Sequence, residues 1–211
     1  MVHPALAELT IAGAPGAWSA AGFAVDGSCC RVGAVTLRLA GTDSGGGIVS
    51  WGLRDVASTE LDGLPTFAAA IEHEAHSAPG HPNGAVAIDH VVAFTPELER
   101  TIAAFEAAGI GLRRRRQGEV MGRPVEQAFF RVGEPLLELV VAADVPAGPA
   151  RFWGLTFTVA DLDAAAALLG ERLGEPRDAV QPGRRIATVR GAAQLGLPVA
   201  LITPEPDADH R

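Results

Sequence analysis

Two stretches of the chain share one pattern of apolar and polar positions. Residues 89–105, "DHVVAFTPELERTIAAF", and residues 153–169, "WGLTFTVADLDAAAALL", each run from an apolar strand through a turn into a helix. In the first, Leu98, Ile102, Phe105 and Gly109 keep three-to-four spacing, the mark of a helix with one apolar face. Thr95 with Pro96 behind it predicts a helix start, as does Asp161 in the second stretch, and Gly109 and Gly174 predict the ends. After each helix comes an Arg-rich strand and then two more: "QAFFRVG" and "PLLELVVAA" in the first copy, "RRIATVRG" and "LPVALITP" in the second. Each unit therefore reads β-α-β-β-β.

The N-terminal region reads as a worn third copy. "LAELTIAGAPGAWSAAGFAVDG" predicts a strand, a short helix and a glycine turn, and "CCRVGAVTLRLAG" and "GGGIVSWGLRDV" supply further strands. From Ala57 to Gly84 periodicity fades among Pro65, Pro79 and Pro82, which predicts a surface linker with a short helix around "FAAAIEHE". The expected division is a degenerate N-terminal module over 1–56, a linker over 57–85, modules over 86–145 and 150–204, and a tail over 205–211.

Composition narrows the function classes. A hydrophobic fraction of 48% and a charged fraction of 20% are those of a globular protein. A net charge of -8 argues against nucleic acid as partner, because phosphate binding needs a basic surface. All 17 basic residues are Arg, which reads as the mark of a GC-rich, bacterial genome. The two cysteines, Cys29 and Cys30, are adjacent and so point to opposite faces of a strand, which excludes a disulfide framework. No apolar run reaches membrane-spanning length and no leader is evident, so a cytoplasmic location is expected, with no membrane partner.

The paired units, with "DHVV" opening one and "LLELVV" closing it, resemble the vicinal oxygen chelate superfamily of glyoxalase-like, bleomycin-resistance and ring-cleaving dioxygenase proteins. The resemblance covers Val86 to Pro204 and is weaker over residues 5–56. It implies an α+β fold of tandem βαβββ modules whose mixed sheet opens as a cup. It also implies that first and last strands of the modules supply metal ligands, so that His90 and Glu138 would hold Zn, Fe, Mn or Ni. In strands, alternation places Ile88, His90 and Val92 on one face and Leu136, Glu138 and Val140 on one face.

In the second module Gly154 matches His90 and Leu201 matches Glu138, so two family ligands are replaced. Candidates for a third ligand are His73, His76, His81, Glu8 and Asp26. Gln127 is placed to orient a ligand, Trp153 to fill the space beside Gly154, and Arg185 or one of Arg113 to Arg116 to clamp a carboxylate. Two readings follow: a glyoxalase-like lyase or isomerase, in which Glu138 moves a proton on a small oxygenated metabolite with metal assistance, or a metal-free binding protein of the resistance type. The N-terminal unit is expected to close the assembly or to mediate a homodimer.

Overall fold

The computed structural model of the chain describes residues 3–43, 45–70, 80–120, 122–142 and 145–206. His73 and His76 lie outside the described residues, as does the second half of the helix expected around "FAAAIEHE"; its first half, residues 67–70, is not helical, and Phe67 and Ala68 belong to a strand.

Three stretches carry the β-α-β-β-β order. The first comprises β1 (Ala5–Ile11), α1 (Pro15–Ala20), β2 (Val25–Asp26), β3 (Cys29–Val32) and β4 (Val35–Leu39). Two more strands follow, β5 (Ile48–Arg54) and β6 (Thr66–Ala68). The second unit is β7 (Ala85–Phe94), α2 (Leu98–Ala107), β8 (Leu112–Val120), β9 (Arg123–Arg131) and β10 (Leu136–Ala142). The third is β11 (Arg151–Val159), α3 (Leu162–Leu169), β12 (Arg177–Asp178), β13 (Arg185–Thr188) and β14 (Val199–Ile202).

The strands form two open mixed sheets. The N-terminal one has the order β2-β3-β4-β1-β5-β6, and the eight-stranded one β12-β13-β14-β11-β7-β10-β9-β8. In each complete unit the last strand runs parallel to the first, and the two first strands β7 and β11 meet antiparallel at the centre of the larger sheet. The smaller sheet repeats this plan: β5 is antiparallel to β1, and β6 is parallel to β5. Thus β5 and β6 stand to β1 as β11 and β14 stand to β7, with the helix and inner strands of that unit gone. The N-terminal sheet thereby reaches past residue 56 to Ala68.

One apolar core joins the sheets. Trp18 of α1 packs edge-on against Phe157 of β11, and Trp51 of β5 packs against Phe105 of α2, which in turn meets Phe130 of β9. Each such aromatic pair adds about 1 kcal/mol beyond its area. The helices contribute the faces their spacing predicts: Leu98, Thr101, Ile102 and Phe105 from α2, and Leu162, Ala165 and Leu169 from α3. Each sheet turns one face to this core and the other outward.

Helix ends show where local chemistry departs from expectation. Asp161 caps α3 as predicted, accepting from the backbone N–H of Asp163 and Ala164 at 2.9 and 3.0 Å. Thr95 does not cap α2. Its hydroxyl accepts from Glu97 N–H at 3.1 Å and pairs with Thr101 at 2.7 Å, and the helix starts only at Leu98. Gly109, at φ 85°, ends α2 as expected, whereas α3 ends at Gly170 and passes into a single 3₁₀ turn before Gly174 is reached.

The first strand of every unit carries the same irregularity. In β7, Ile88 and Val91 both face the core, so the two residues between them, Asp89 and His90, both face outward. The register slips at the same place in β1, between core residues Leu6 and Leu9, in β5 between Ile48 and Trp51, and in β11 between Phe152 and Leu155. A bulge of this kind presents two neighbouring side chains on one face. It corrects the alternation expected from sequence: Ile88 lies on the core face, opposite to His90 and Val92.

Candidate functional site

The outer face of the eight-stranded sheet is built around β7, β9 and β10. Val92, Val125 and Val140 form a small apolar cluster there, with Phe94 against it. Set into this floor is a chain of polar side chains. Asp89 Oδ1 accepts from His90 Nδ1 at 2.8 Å, and His90 Nε2 stands 3.5 Å from Glu138 Oε2. The Gln127 amide donates to the other Glu138 oxygen, and Gln127 Oε1 accepts from Arg116 Nε and Nη2 at 2.9 and 2.7 Å. At the far end Arg184 Nη2 donates to Asp89 Oδ2 at 2.5 Å, while Arg184 Nε donates to the Thr203 carbonyl at 2.8 Å. Thr158 completes the shell of Asp89 at 3.2 Å.

Burial makes these contacts matter. The side chains of Asp89, His90 and Glu138 are 12%, 15% and 16% exposed and that of Arg184 only 3%. Burial on its own would raise the Asp89 carboxyl, but the hydrogen bonds and charges of His90 and Arg184 outweigh it and hold the group at about 2. Asp89 is therefore a fixed anion. It orients His90 through Nδ1 and leaves Nε2 pointing at Glu138. The gap between Nε2 and Oε2 is longer than a hydrogen bond, so both groups converge on one point without saturating each other.

The structure brings His90, Glu138, Gln127 and, from the arginine run, Arg116 together, and places the other described candidates elsewhere. Arg185 lies at the surface, where it pairs with Asp163 at 2.9 Å; its neighbour Arg184 is the one that enters the site. Arg115 pairs with Glu99 of α2 on the helix side of β8, while Arg114 lies over the Phe129 ring at 4.6 Å on the outer face, beside Arg116. Trp153 is 47% exposed and packs edge-on against Phe94 at 5.6 Å. The space at Gly154 is taken by Pro198: a Cβ there would meet the Pro198 carbonyl oxygen at 2.6 Å. Leu201 faces the core, and the residue in the register of Glu138 is Ala200, since Glu138 pairs with Val92 as Ala200 pairs with Thr156.

Among the described residues, the donors facing this point do not complete a metal site. A catalytic divalent metal is ordinarily held by three protein ligands, and here two converge, His90 and Glu138. Both Asp89 oxygens are engaged by His90, Arg184 and Thr158. Glu8 is paired with Arg38 in the other sheet, and Asp26 sits exposed in β2 of that sheet. His81 is buried. Its Nδ1 accepts from Ala24 N–H and its Nε2 must then donate to the Arg31 carbonyl, both at 2.9 Å, so neither nitrogen is left for a metal. Among the described residues, no cluster of three or more His, Cys, Asp or Glu is arranged to hold a metal ion.

Sequence reasoning missed Asp89 and Arg184. A signal for the first was present: apolar residues three apart (Ile88 and Val91, Phe152 and Leu155) mark a bulge that puts both intervening residues on one face.

Residues 87–186 match the sequence model of the Glyoxalase/Bleomycin resistance protein/Dioxygenase superfamily. No curated protein sequence matches the chain. Among solved structures, a mutant of 4-hydroxymandelate synthase from Streptomyces coelicolor superposes over 94% of this chain and 92% of its own, with 14% identity and a TM-score of 0.65. A xylose isomerase-like TIM barrel/4-hydroxyphenylpyruvate dioxygenase fusion protein matches 96% of this chain and 49% of its own, at 13% identity and a TM-score of 0.64. Methylmalonyl-CoA epimerase from Mycobacterium tuberculosis, 20% identical, covers 64% of this chain and 95% of its own at a TM-score of 0.48. At these identities the likeness is one of fold. Together with the βαβββ units and their pairing, the match identifies residues 87–186 as a domain of the glyoxalase/bleomycin resistance/dioxygenase superfamily.

Proposed function

We propose that the outer face of the eight-stranded sheet binds a small oxygenated metabolite and moves a proton on it, as an isomerase or lyase would. One observation carries the reading: His90 Nε2 and Glu138 Oε2 converge at 3.5 Å without bonding, each held from behind by a buried partner. Gln127 occupies one Glu138 oxygen, which leaves the other to take a proton from a carbon beside a carbonyl. His90, held at Nδ1 by Asp89, donates its Nε2–H as the imidazolium to the oxygen on which negative charge then develops. Val92, Val125 and Val140 keep water from the floor, and Arg114 and Arg116 above Phe129 favour an anionic group on the ligand. Among the described residues, His90 and Glu138 would hold a divalent metal only as a two-donor site, one ligand short of the usual three.

Solvent-deuterium exchange tests this whatever the product is. The protein is incubated in D₂O with a panel of small 2-oxo and 2-hydroxy acids, with and without Zn²⁺ or Mn²⁺, and read by NMR. Exchange beside the carbonyl, slowed by about 100-fold or more in Glu138→Gln, is the expected result. A second reading, capture of the molecule without catalysis, is favoured by the other half of the face. There Gly154, Ala200 and Ile202 supply no acid or base. Saturable binding of panel members with no exchange for any of them would replace the first reading with the second.

A further inference from the structure

The outer face of the N-terminal sheet repeats the frame of the site with different chemistry. Counting from the bulges, Glu8 of β1 stands in the register of His90, and Arg38 in that of Glu138, because Arg38 pairs with Thr10 as Glu138 pairs with Val92. Ser50 stands where Gly154 does, and Phe67, opposite Gly52, stands where Ala200 does. A cavity of about 220 Å³ lies over the Glu8, Arg38 and Phe67 positions and is lined as well by Arg31, Thr36 and Arg54.

The lining is cationic and has an unmet donor. Glu8 pairs with Arg38 at 2.7 Å, and no described carboxylate pairs with Arg31 or Arg54. Arg31 Nε is buried with no hydrogen-bond partner among the described residues. A donor left so costs about 1–3 kcal/mol, which an acceptor supplied by a ligand would recover. The apolar wall is fixed. The Phe67 ring lies over Gly52, where a Cβ would come within 2.6 Å of it, and β6 is pinned by the Trp51 indole donating to Thr66 Oγ1 at 2.7 Å.

We propose that this face is a second ligand site, for a small organic anion whose carboxylate or phosphate meets Arg31 and Arg54 and whose apolar part lies on Phe67. Two guanidiniums, with the adjacent Thr36 hydroxyl, match an oxyanion, and the cavity is smaller than the 300–1,000 Å³ of drug-sized pockets, so the occupant is a molecule of about ten heavy atoms. The site is independent of His90 and Glu138.

Calorimetric titration of the whole chain at low ionic strength with phenyl phosphate, benzoate and inorganic phosphate tests it. Saturable binding of phenyl phosphate or benzoate is expected, and the tighter of the two identifies the anion. Arg54→Gln and Arg31→Gln each weaken it about tenfold or more, and Glu138→Gln leaves it unchanged. Phe67→Ala, a change at a half-exposed ring, weakens phenyl phosphate or benzoate but not inorganic phosphate, and it serves should Arg31→Gln not fold. No saturable binding of any probe at about 10 mM overturns the proposal. So does binding that both arginine variants and Phe67→Ala leave intact, which would place the anion on Arg114 and Arg116 instead.

Discussion

The two halves of the eight-stranded sheet share a backbone and differ in what they hold. Around β7 and β10 the bulge and the strand beside it present Asp89, His90 and Glu138; around β11 and β14 the same positions present Trp153, Gly154 and Ala200. The pairing is reciprocal: His90 lies across from Thr156, and Gly154 lies across from Val92. The geometry that displays two neighbouring residues outward is thus a property of the strand, and acid–base character depends on which residues fill it. In the third unit those places hold small or apolar groups, and Pro198 closes over Gly154.

Three measurements test that contrast, and a fourth tests the sidedness of a strand in the other sheet. The largest effect is expected from Arg184→Met, which leaves the Asp89 anion buried without its cation. A loss of about 3–5 kcal/mol in denaturant unfolding is expected, and a loss under about 1 kcal/mol would mean that the polar half is not held by this pair. Acid comes next. Asp89 titrates at about 2 in the folded chain, below its ordinary 3.8, so its stabilisation is complete above pH 4 and is lost as pH falls towards 2. The stability gap between the wild type and Asp89→Asn should narrow by about 2 kcal/mol between pH 5 and pH 2.

On the apolar half, Gly154→Ala drives a methyl against the Pro198 carbonyl and should cost about 1–2 kcal/mol by thermal melting. Ordinary stability there would show that Pro198 yields and that a larger side chain could be installed. The smallest effect concerns the two faces of β3. Cys30 is buried, and burial together with neighbouring Cys29 raises its thiol to about 12, while Cys29 is half-exposed on the outer face. Iodoacetamide should label one cysteine in the native chain and two after unfolding, with no change in stability.

Much of this was legible in the sequence because periodicity reports which face is apolar. The β-α-β-β-β order follows from it, the Asp161 cap from its residue type, and the approach of His90 and Glu138 from what the resemblance to the superfamily implies. What was not legible arose where one residue shifts the count. The bulge moves Asp89 to the face of His90, and the last strand of the third unit aligns Ala200, one residue before Leu201, with Glu138. Arg184 and Arg185 are chemically identical, and only the turn that carries Arg184 to the Thr203 carbonyl separates the buried partner from the surface one. Thr95 has the residue type of a cap, but its hydroxyl is taken by Glu97 N–H and Thr101.

The run Arg113 to Arg116 lies on β8, a nine-residue strand at the edge of the larger sheet, while the opposite edge, β12, has only two residues. A long open edge is a template on which another chain can extend the sheet, and crowding like charges along it opposes that growth. Besides what Arg116 does for Gln127, the run therefore acts as a barrier to fibril-like stacking. Replacing its outward-facing members with apolar residues should shorten the shelf life of concentrated solutions long before it changes the fold.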